Sequence, residues 1–263
     1  MDNIYDNVSI KYGMDLILEH HNAFSDEICD EMVERFELDD RAISGLAGIY
    51  GRDYKGPAIK VSMDLEISPL EDWRDMDIRI FDILSPYISK YVKMLKEQFR
   101  YDQIDHIKDL GYQIQRTDPG GYFTWHTDYD SQPLIDQLIR HNDGSALICS
   151  RERIATYILY LNDRLEYSND DGTTEFKFGE EHKFIKAEKG KLLMFPANVL
   201  YPHRGVPLQN GVKYLMTGWV TRDVTTKVGQ SPSDYEDRRL RYSAGGPNYF
   251  MDVEGRATWT TGT

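Results

Sequence analysis

The stretch TDPGGYFTWHTDYD, residues 117–130, places a Pro-Gly-Gly turn directly before a short run of aromatic and β-branched residues. That order is typical of a strand that leaves a tight turn. Side chains two residues apart in a strand point to the same face, so we expect His126 and Asp128 to lie side by side. An imidazole beside a carboxylate is either a hydrogen-bonded surface pair or two thirds of a metal site.

The same period of two continues along the chain after about residue 106. Short runs rich in β-branched and aromatic residues alternate with Gly, Pro, Asn and Asp, as in RIATYILYLND (153–163), DGTTEFKF (171–178) and VKYLMTGWVT (212–221). Repeated short strands with polar turns predict an antiparallel sandwich or jelly roll, and they argue against a fold of alternating strands and helices.

The first hundred residues follow a different pattern. SDEICDEMVERFEL (25–38) has apolar residues at helical spacing behind a Ser or Asp cap, which predicts a helix. AIKVSMDLEI (58–67) alternates as a strand does. Residues 72–99 are predicted to be helical, with an interruption near Ser85 and Pro86, because proline suits the first turn of a second helix.

These patterns predict a single domain over residues 1–263, mainly β with supporting α. Residues 1–105 are predicted to form a helical support with a strand pair, and residues 106–221 a jelly-roll core. Residues 131–143 break the strand pattern and predict a short helix or a lid-like insertion. From residue 222 to residue 263 strand periodicity is lost, which predicts an irregular C-terminal extension.

Composition excludes several classes of function. Lys and Arg number 31 against 44 Asp and Glu, and the net charge of −13 repels phosphate backbones, so we expect no nucleic-acid partner. No apolar run reaches the ~18 residues that a membrane helix needs. The first residues carry acids without a signal-like apolar segment. Only two cysteines occur, Cys29 and Cys149, without a Cys-x-x-Cys pair. Together these features favour a cytoplasmic protein.

The His-x-Asp pattern occurs twice, so spacing alone does not identify a metal site. The pair of His141 and Asp143 lies in a polar turn and is interpreted as a solvated loop. In the first pair, His126 and Asp128 share a strand with Phe123 and Trp125 on the opposite face. A strand held by a core in this way is a better platform for ligands.

Residues near the end of the predicted sheet favour the metal interpretation. His203 follows Asp128 by 75 residues, and Lys213 follows by ten more. Two imidazoles and one carboxylate form the facial triad of non-haem iron(II) oxygenases, which leaves positions open for other ligands. Lys213 in the next strand is suited to the far carboxylate of a dicarboxylate co-substrate. His182 is the other distal histidine, but it lies in an exposed-looking segment and lacks a lysine at that offset.

The runs RIATYILYLND, DGTTEFKF, KAEKGKLLMF and HRGVPLQNGVKYLMTGW follow the His126 strand in the order of a known family. Over residues 106–221 the sequence resembles the 2-oxoglutarate and iron(II)-dependent dioxygenases, with the nearest resemblance to the prolyl 4-hydroxylase-like branch. The resemblance implies a double-stranded β-helix, a cupin-like jelly roll, buttressed by N-terminal helices. It also implies iron(II), 2-oxoglutarate and O2 as cofactor and co-substrates, with ascorbate as a candidate reductant.

The resemblance assigns a role to each matching position. The implied iron ligands are His126, Asp128 and His203. The implied 2-oxoglutarate contacts are Lys213, which binds the C5 carboxylate, Tyr160, Thr217 and Trp219. The implied substrate contacts are Arg153 and Trp125. The sequence departs from the family at Thr117 and Phe123, where many relatives carry tyrosines, so the pocket is altered on that side.

The expected reaction is hydroxylation of a C–H bond, with a peptidyl proline as the first choice of substrate. A free amino acid or another small metabolite is the alternative within the same class. Two further alternatives are a zinc hydrolase with the same three ligands and a non-catalytic jelly-roll binding protein. The oligomeric state and the natural substrate do not follow from the sequence.

Overall fold

The computed structural model describes residues 16–45, 59–99, 107–129, 134–140, 146–168, 170–228, 248–251 and 257–260. The chain divides into two compact units. The first comprises Met1–Gln132 with Glu152–Asp223, and the second Pro133–Arg151 with Val224–Thr263. The expectation of a single domain over the whole chain therefore stays a prediction. None of the helices in the described ranges is both long and apolar enough to span a membrane.

Two helices lie in the N-terminal part of the first unit, among its first short strands. Helix α1, Asp26–Glu37, buries Cys29, Met32 and Phe36 at helical spacing, and its first turn is acidic, which suits the positive end of the helix dipole. Helix α2, Arg74–Phe99, follows a short 3-10 turn at Glu71–Trp73.

Helix α2 is continuous through Pro86, so the predicted interruption near this residue is wrong. Its buried stripe, Met76, Ile80, Leu84 and Ile88, passes Pro86 without a break in spacing. Apolar packing on both sides of the proline holds the helix, and this outweighs the backbone hydrogen bond that proline cannot donate.

The larger sheet of the first unit is antiparallel, with the strand order β1-β12-β9-β14-β6-β4-β2 and with β5 beside β14. Its strands are β1 (Leu18–His20), β2 (Ile43–Ser44), β4 (Met63–Glu66), β5 (Ile107–Asp109), β6 (Gln113–Thr117), β9 (Ala146–Tyr160), β12 (Leu192–Pro196) and β14 (Lys213–Val228). Buried residues of this sheet and of both helices form one hydrophobic core.

The smaller sheet is also antiparallel and has the order β11-β10-β13-β7-β3. Its strands are β3 (Lys60–Val61), β7 (Tyr122–His126), β10 (Thr174–Phe178), β11 (Glu181–Ile185) and β13 (His203–Gly205). The two sheets face each other, because the rings of Phe176 on β10 and Phe195 on β12 meet edge to face with centroids 4.9 Å apart. The single strand predicted over residues 58–67 is divided between the sheets as β3 and β4.

The second unit corrects two predictions. Residues 134–140 form strand β8, Leu134–Arg140, which pairs antiparallel with Ala146–Arg151, so a helix in this insertion is wrong. The C-terminal extension is not wholly irregular either. Strand β14 continues to Val228, and β15 (Asn248–Met251) pairs with β16 (Ala257–Thr260). In both places backbone pairing with a neighbouring strand decides the conformation, and it leaves little trace in side-chain periodicity.

Candidate active site and metal centre

His126 is the last residue of β7, and Asp128 lies in the irregular segment just after it. The expectation that both residues occupy one strand is therefore wrong, because the strand ends two residues before Asp128. His126 pairs across the sheet with His203, the first residue of β13, and the register shifts between His203 and Gly205 as in a β-bulge. Bulges are common beside active sites, where they redirect a side chain.

The side chains of His126, Asp128 and His203 converge, with one ligand atom from each lying within 4.8 Å of the others. Nε2 of His126 is 3.7 Å from Oδ1 of Asp128, and Nε2 of His203 is 3.7 Å from Oδ2 of the same carboxylate. These atoms are too far apart for hydrogen bonds, and their spacing suits ligands around a common ion.

The second atom of each ligand side chain is already engaged. Nδ1 of His126 donates to the carbonyl oxygen of Thr124 at 2.8 Å, and Nδ1 of His203 donates to that of Tyr201 at 3.1 Å. These bonds select the tautomer that leaves both Nε2 lone pairs free. Thr156 Oγ1 donates to Asp128 Oδ2 at 2.6 Å and fixes the carboxylate.

The protonation states of His126 and Asp128 at neutral pH also suit metal binding. Burial and the nearby His203 lower the pKa of His126 to about 4, so its ring is neutral. Burial alone would raise the pKa of Asp128, but His203, His126 and the Thr156 hydroxyl keep it below its usual value. A neutral imidazole and an ionised carboxylate are the forms that bind metals. The donor set therefore fits a divalent transition-metal ion.

Aromatic rings hold the two histidines in place. Phe123 stacks on His126 with centroids 3.6 Å apart, and Phe195 meets His203 edge to face at 4.8 Å. Trp125 does not belong to this packing, because 39% of it is exposed and it lies 4.9 Å from the Arg204 guanidinium. The expectation that Phe123 and Trp125 anchor the strand from the opposite face is therefore wrong, since one contacts a ligand ring and the other faces the cavity mouth.

A cavity of about 600 Å³ lies between the sheets and is lined by the three converging side chains and by Lys213. Lys213 is buried, and its Nζ donates to the carbonyl oxygen of Gly172 at 2.7 Å. Burial and the neighbouring Arg164 lower the pKa of Lys213 to about 8. A buried ammonium with one backbone acceptor fits the carboxylate of a ligand, which would stabilise its positive charge.

Two of the three other residues predicted to contact the co-substrate, Thr217 and Tyr160, lie nearby. Thr217 lines the cavity, and its hydroxyl donates to the carbonyl oxygen of Tyr157 at 2.9 Å. Tyr160 is fully buried and is not part of the cavity wall. Its hydroxyl donates at 2.7 Å to Thr174, which does line the cavity, so any effect of Tyr160 on a ligand passes through Thr174.

Arg153 and Trp219 form a stacked pair in the cavity wall, with the guanidinium carbon 3.9 Å from the indole ring centre. Two buried donors of this pair, Nε of Arg153 and Nε1 of Trp219, have no hydrogen-bond partner among the described residues. Buried donors without acceptors are costly, so this wall is suited to a ligand that carries carbonyl or carboxylate oxygens.

The rival histidines are arranged differently. His182 Nδ1 lies 2.5 Å from Oε1 of Glu175, and it belongs to no metal-like cluster within the described ranges. His141 and Asp143 lie outside the described residues.

The residues of the site that the sequence analysis missed include Thr156, Ile158 and Thr174. For Thr156 and Ile158 the signal was the period of two in RIATYILY, which puts residues 156, 158 and 160 on one strand face.

Residues 112–221 match the family model of the 2OG-Fe(II) oxygenase superfamily. No curated protein matches the sequence. Among solved structures, the chain is similar to a prolyl hydroxylase from Trichoplax adhaerens in complex with a hypoxia inducible factor oxygen degradation domain peptide fragment. The identity is 14%, the TM-score 0.57, and the match covers 89% of this chain and 90% of that one.

Two further structures are similar. A Pseudomonas putida prolyl-4-hydroxylase has 14% identity and a TM-score of 0.50, with 79% of this chain and 92% of that one covered. A viral collagen prolyl hydroxylase from Paramecium Bursaria Chlorella virus-1 has 20% identity and a TM-score of 0.49, with 79% and 96% covered. At these identities a likeness concerns the fold. The Trichoplax and Pseudomonas structures confirm the predicted double-stranded β-helix core behind N-terminal helices.

Proposed function

We propose that this chain, whose core of residues 112–221 belongs to the 2OG-Fe(II) oxygenase superfamily, binds iron(II) through His126, Asp128 and His203. The protein is an iron(II)- and 2-oxoglutarate-dependent dioxygenase, so zinc hydrolysis and a purely binding role lose their support. One observation carries the assignment of the site: two free Nε2 atoms and a carboxylate converge in the same cavity that holds the buried Lys213.

Bound iron(II), with 2-oxoglutarate and O2, supplies the oxidising power for C–H hydroxylation, and 2-oxoglutarate is converted to succinate and CO2. The protein contributes position and charge. The carbonyl groups of Thr124 and Tyr201 orient the two imidazoles, and Thr156 orients the carboxylate. Lys213 binds the far carboxylate of 2-oxoglutarate from within the apolar interior, where an ion pair is poorly screened. Tyr160 supports this end of the cavity through Thr174.

The substrate that we propose is a peptidyl proline. Arg153 and Trp219 present two buried N–H groups without acceptors, and peptide carbonyl oxygens match that need. Trp125 is 39% exposed and Tyr129 is 51% exposed beside the proposed iron ligands, where they offer aromatic surface to a bound peptide. The Trichoplax relative was solved with a peptide fragment, which supports the same choice. A free amino acid stays the alternative substrate.

We also propose a cytoplasmic location, because two cysteines in 263 residues suit a reducing compartment.

The test compares two histidine variants, because each removes one imidazole from the smaller sheet. His203→Ala is expected to lose iron(II) binding and the iron-dependent formation of succinate from 2-oxoglutarate. His182→Ala, the matched control, is expected to keep both, because His182 pairs with Glu175 outside the triad. Retention of metal and turnover by His203→Ala would overturn the assignment.

The substrate is tested by incubating proline-containing peptides and free L-proline side by side and following the mass gain of one oxygen. Wild-type protein is expected to hydroxylate a peptide. Arg153→Ala is expected to hydroxylate it poorly while it still converts 2-oxoglutarate to succinate in the absence of peptide. Turnover of free proline with no peptide product would replace the peptide proposal with the small-molecule alternative.

A further inference from the structure

A polar strip lines the cavity on strands β4 and β6, beside strand β14, which carries Lys213, Thr217 and Trp219. Gln113 Nε2 donates to Oε1 of Glu66 at 2.6 Å, and Gln115 Nε2 donates to Oε1 of Gln113 at 2.5 Å. All three side chains line the cavity. Both amide groups donate towards Glu66. The strip therefore presents the Glu66 carboxylate and the side-chain oxygen of Gln115 to a ligand in the cavity.

Glu66 differs from Lys60 and Arg204, two charged side chains of the same cavity wall that form ion pairs. Lys60 is paired with Asp64 at 2.5 Å, and Arg204 is paired with Glu175. Among the described residues, Glu66 has no cation within ion-pair distance, although it keeps its bond to Gln113. The residue is exposed, but partial burial of its carboxyl and the charge of Asp64 raise the pKa of Glu66 against the opposing effects of Gln113 and Lys60, so its ionised form gains from a closer positive partner.

The strand register separates Glu66 from the proposed co-substrate end. Thr117 lies opposite Lys213, whereas Gln113 lies opposite Thr217 and Glu66 lies opposite Gln113. The Glu66 row is thus four residues along β14 from Lys213, or about 13 Å at the ordinary rise per residue of a strand. That distance exceeds the length of a five-carbon dicarboxylate. Thr217, a predicted co-substrate contact, lies in the same row, but Glu66 lies two strands further across the sheet, about 10 Å from β14 at the ordinary spacing, so Glu66 is left for the substrate.

We propose that Glu66, held by Gln113, selects substrates that carry a cationic side chain close to the hydroxylated residue. This inference rests on the proposed function, because it adds a specificity contact to the same cavity. In the sheet order, β4 and β9 are separated by β6 and β14. Three strand spacings put Glu66 about 14 Å across the sheet from the strand of Arg153. An extended peptide spans this distance in about four residues, so the lysine or arginine lies within about four residues of the proline.

The experiment uses alanine-rich peptides with one proline and with a lysine, an alanine or a glutamate placed two or four residues to either side. Binding to the full chain with iron(II) and 2-oxoglutarate is measured without O2 by fluorescence anisotropy, and kcat/KM is measured with O2. The variants are Glu66→Gln and Glu66→Lys. Glu71→Lys is the matched control, since Glu71 is an exposed acid outside the cavity wall and its substitution changes the net charge equally.

Wild type is expected to bind the best lysine peptide roughly tenfold more tightly than its glutamate counterpart, as one partly exposed attraction replaces a repulsion. Glu66→Gln is expected to lose most of this preference, Glu66→Lys to reverse it, and Glu71→Lys to keep it. Equal binding of both peptides by wild type, a preference unchanged in Glu66→Lys, or no peptide binding at all would overturn the inference. Conversion of 2-oxoglutarate without peptide tests the proposed function separately, because it does not involve Glu66.

Discussion

Replacing Lys213 by Met is expected to make the free protein more stable while it removes most of the affinity for 2-oxoglutarate. Methionine keeps an unbranched side chain of similar length but carries no charge. In the folded protein the pKa of Lys213 is about 8, compared with an ordinary value of 10.5. Each pKa unit corresponds to ~1.36 kcal/mol, so burying the ammonium costs about 3 kcal/mol.

The pH range of this cost follows from the direction of the pKa change. The folded pKa is lowered, so the unfolded chain binds the proton more tightly and the penalty is fully present below about pH 8. It disappears as the pH rises through the unfolded value. Methionine also removes the hydrogen bond from Nζ to the Gly172 carbonyl group, which offsets about 1 kcal/mol of the gain. At pH 7 the variant is therefore expected to be about 2 kcal/mol more stable than wild type.

The stabilisation that 2-oxoglutarate gives to the folded protein should decrease in Lys213→Met. Loss of one partner of a buried charge pair costs ~3–5 kcal/mol, which weakens binding of 2-oxoglutarate by about two orders of magnitude or more. A ligand at 100 times its Kd stabilises a protein by about 2.7 kcal/mol, whereas one present at its Kd adds about 0.4 kcal/mol. Wild type should show the first value, and Lys213→Met at the same 2-oxoglutarate concentration should show at most the second.

The assay is urea unfolding at pH 7, with iron(II) under argon, with and without 2-oxoglutarate. Lys191→Met is the matched control, because Lys191 is equally buried but pairs with Glu19 at 3.3 Å. That control should lose stability and keep the protection by 2-oxoglutarate. Full protection of Lys213→Met, or a loss of its stability as large as that of Lys191→Met, would refute the role given to Lys213.

Three further predictions concern the same cavity. The affinity of wild type for 2-oxoglutarate should fall as the pH rises above about 8, because Lys213 then loses the proton whose charge attracts the carboxylate. Calorimetric titrations from pH 7 to 9.5 measure this affinity, and a constant affinity over that range would contradict the prediction. Thr156→Val removes the 2.6 Å hydrogen bond to Asp128 and should weaken iron(II) binding by roughly 10–100-fold. Metal competition measures the affinity, and an unchanged value would mean that Asp128 does not need this hydrogen bond to bind iron. Tyr160→Phe should weaken 2-oxoglutarate binding by about tenfold, less than Lys213→Met, since the Tyr160 hydroxyl acts through Thr174. The same calorimetric titration measures this, and an effect as large as that of Lys213→Met would indicate that Tyr160 contacts the ligand directly.

Much of this architecture could be predicted from sequence because its signals are local. The period of two in residues 153–163 marks a strand whatever surrounds it, and the apolar spacing in residues 25–38 marks a helix. His126, Asp128 and His203 were selected by residue type and by order along the chain, and the fold brings them together because β7 and β13 are neighbours.

Features that depend on partners distant in sequence could not be predicted in this way. Pro86 normally ends a helix, and only the packing of both halves of α2 explains its continuity. The pairing of β8 with β9 depends on a neighbouring strand rather than on periodicity. The hydrogen bond from Thr156 to Asp128 joins residues 28 positions apart, and the facing of Glu66 with Gln113 depends on register.

Iron(II) is proposed to bind between His126, Asp128 and His203. The most direct test is anomalous diffraction at the iron edge from crystals grown with iron(II) and 2-oxoglutarate without O2. One strong peak is expected between Nε2 of His126, Nε2 of His203 and the Asp128 carboxylate, and no such peak in crystals of Asp128→Ala. A peak beside His182 and Glu175, with none at the triad, would contradict this proposal.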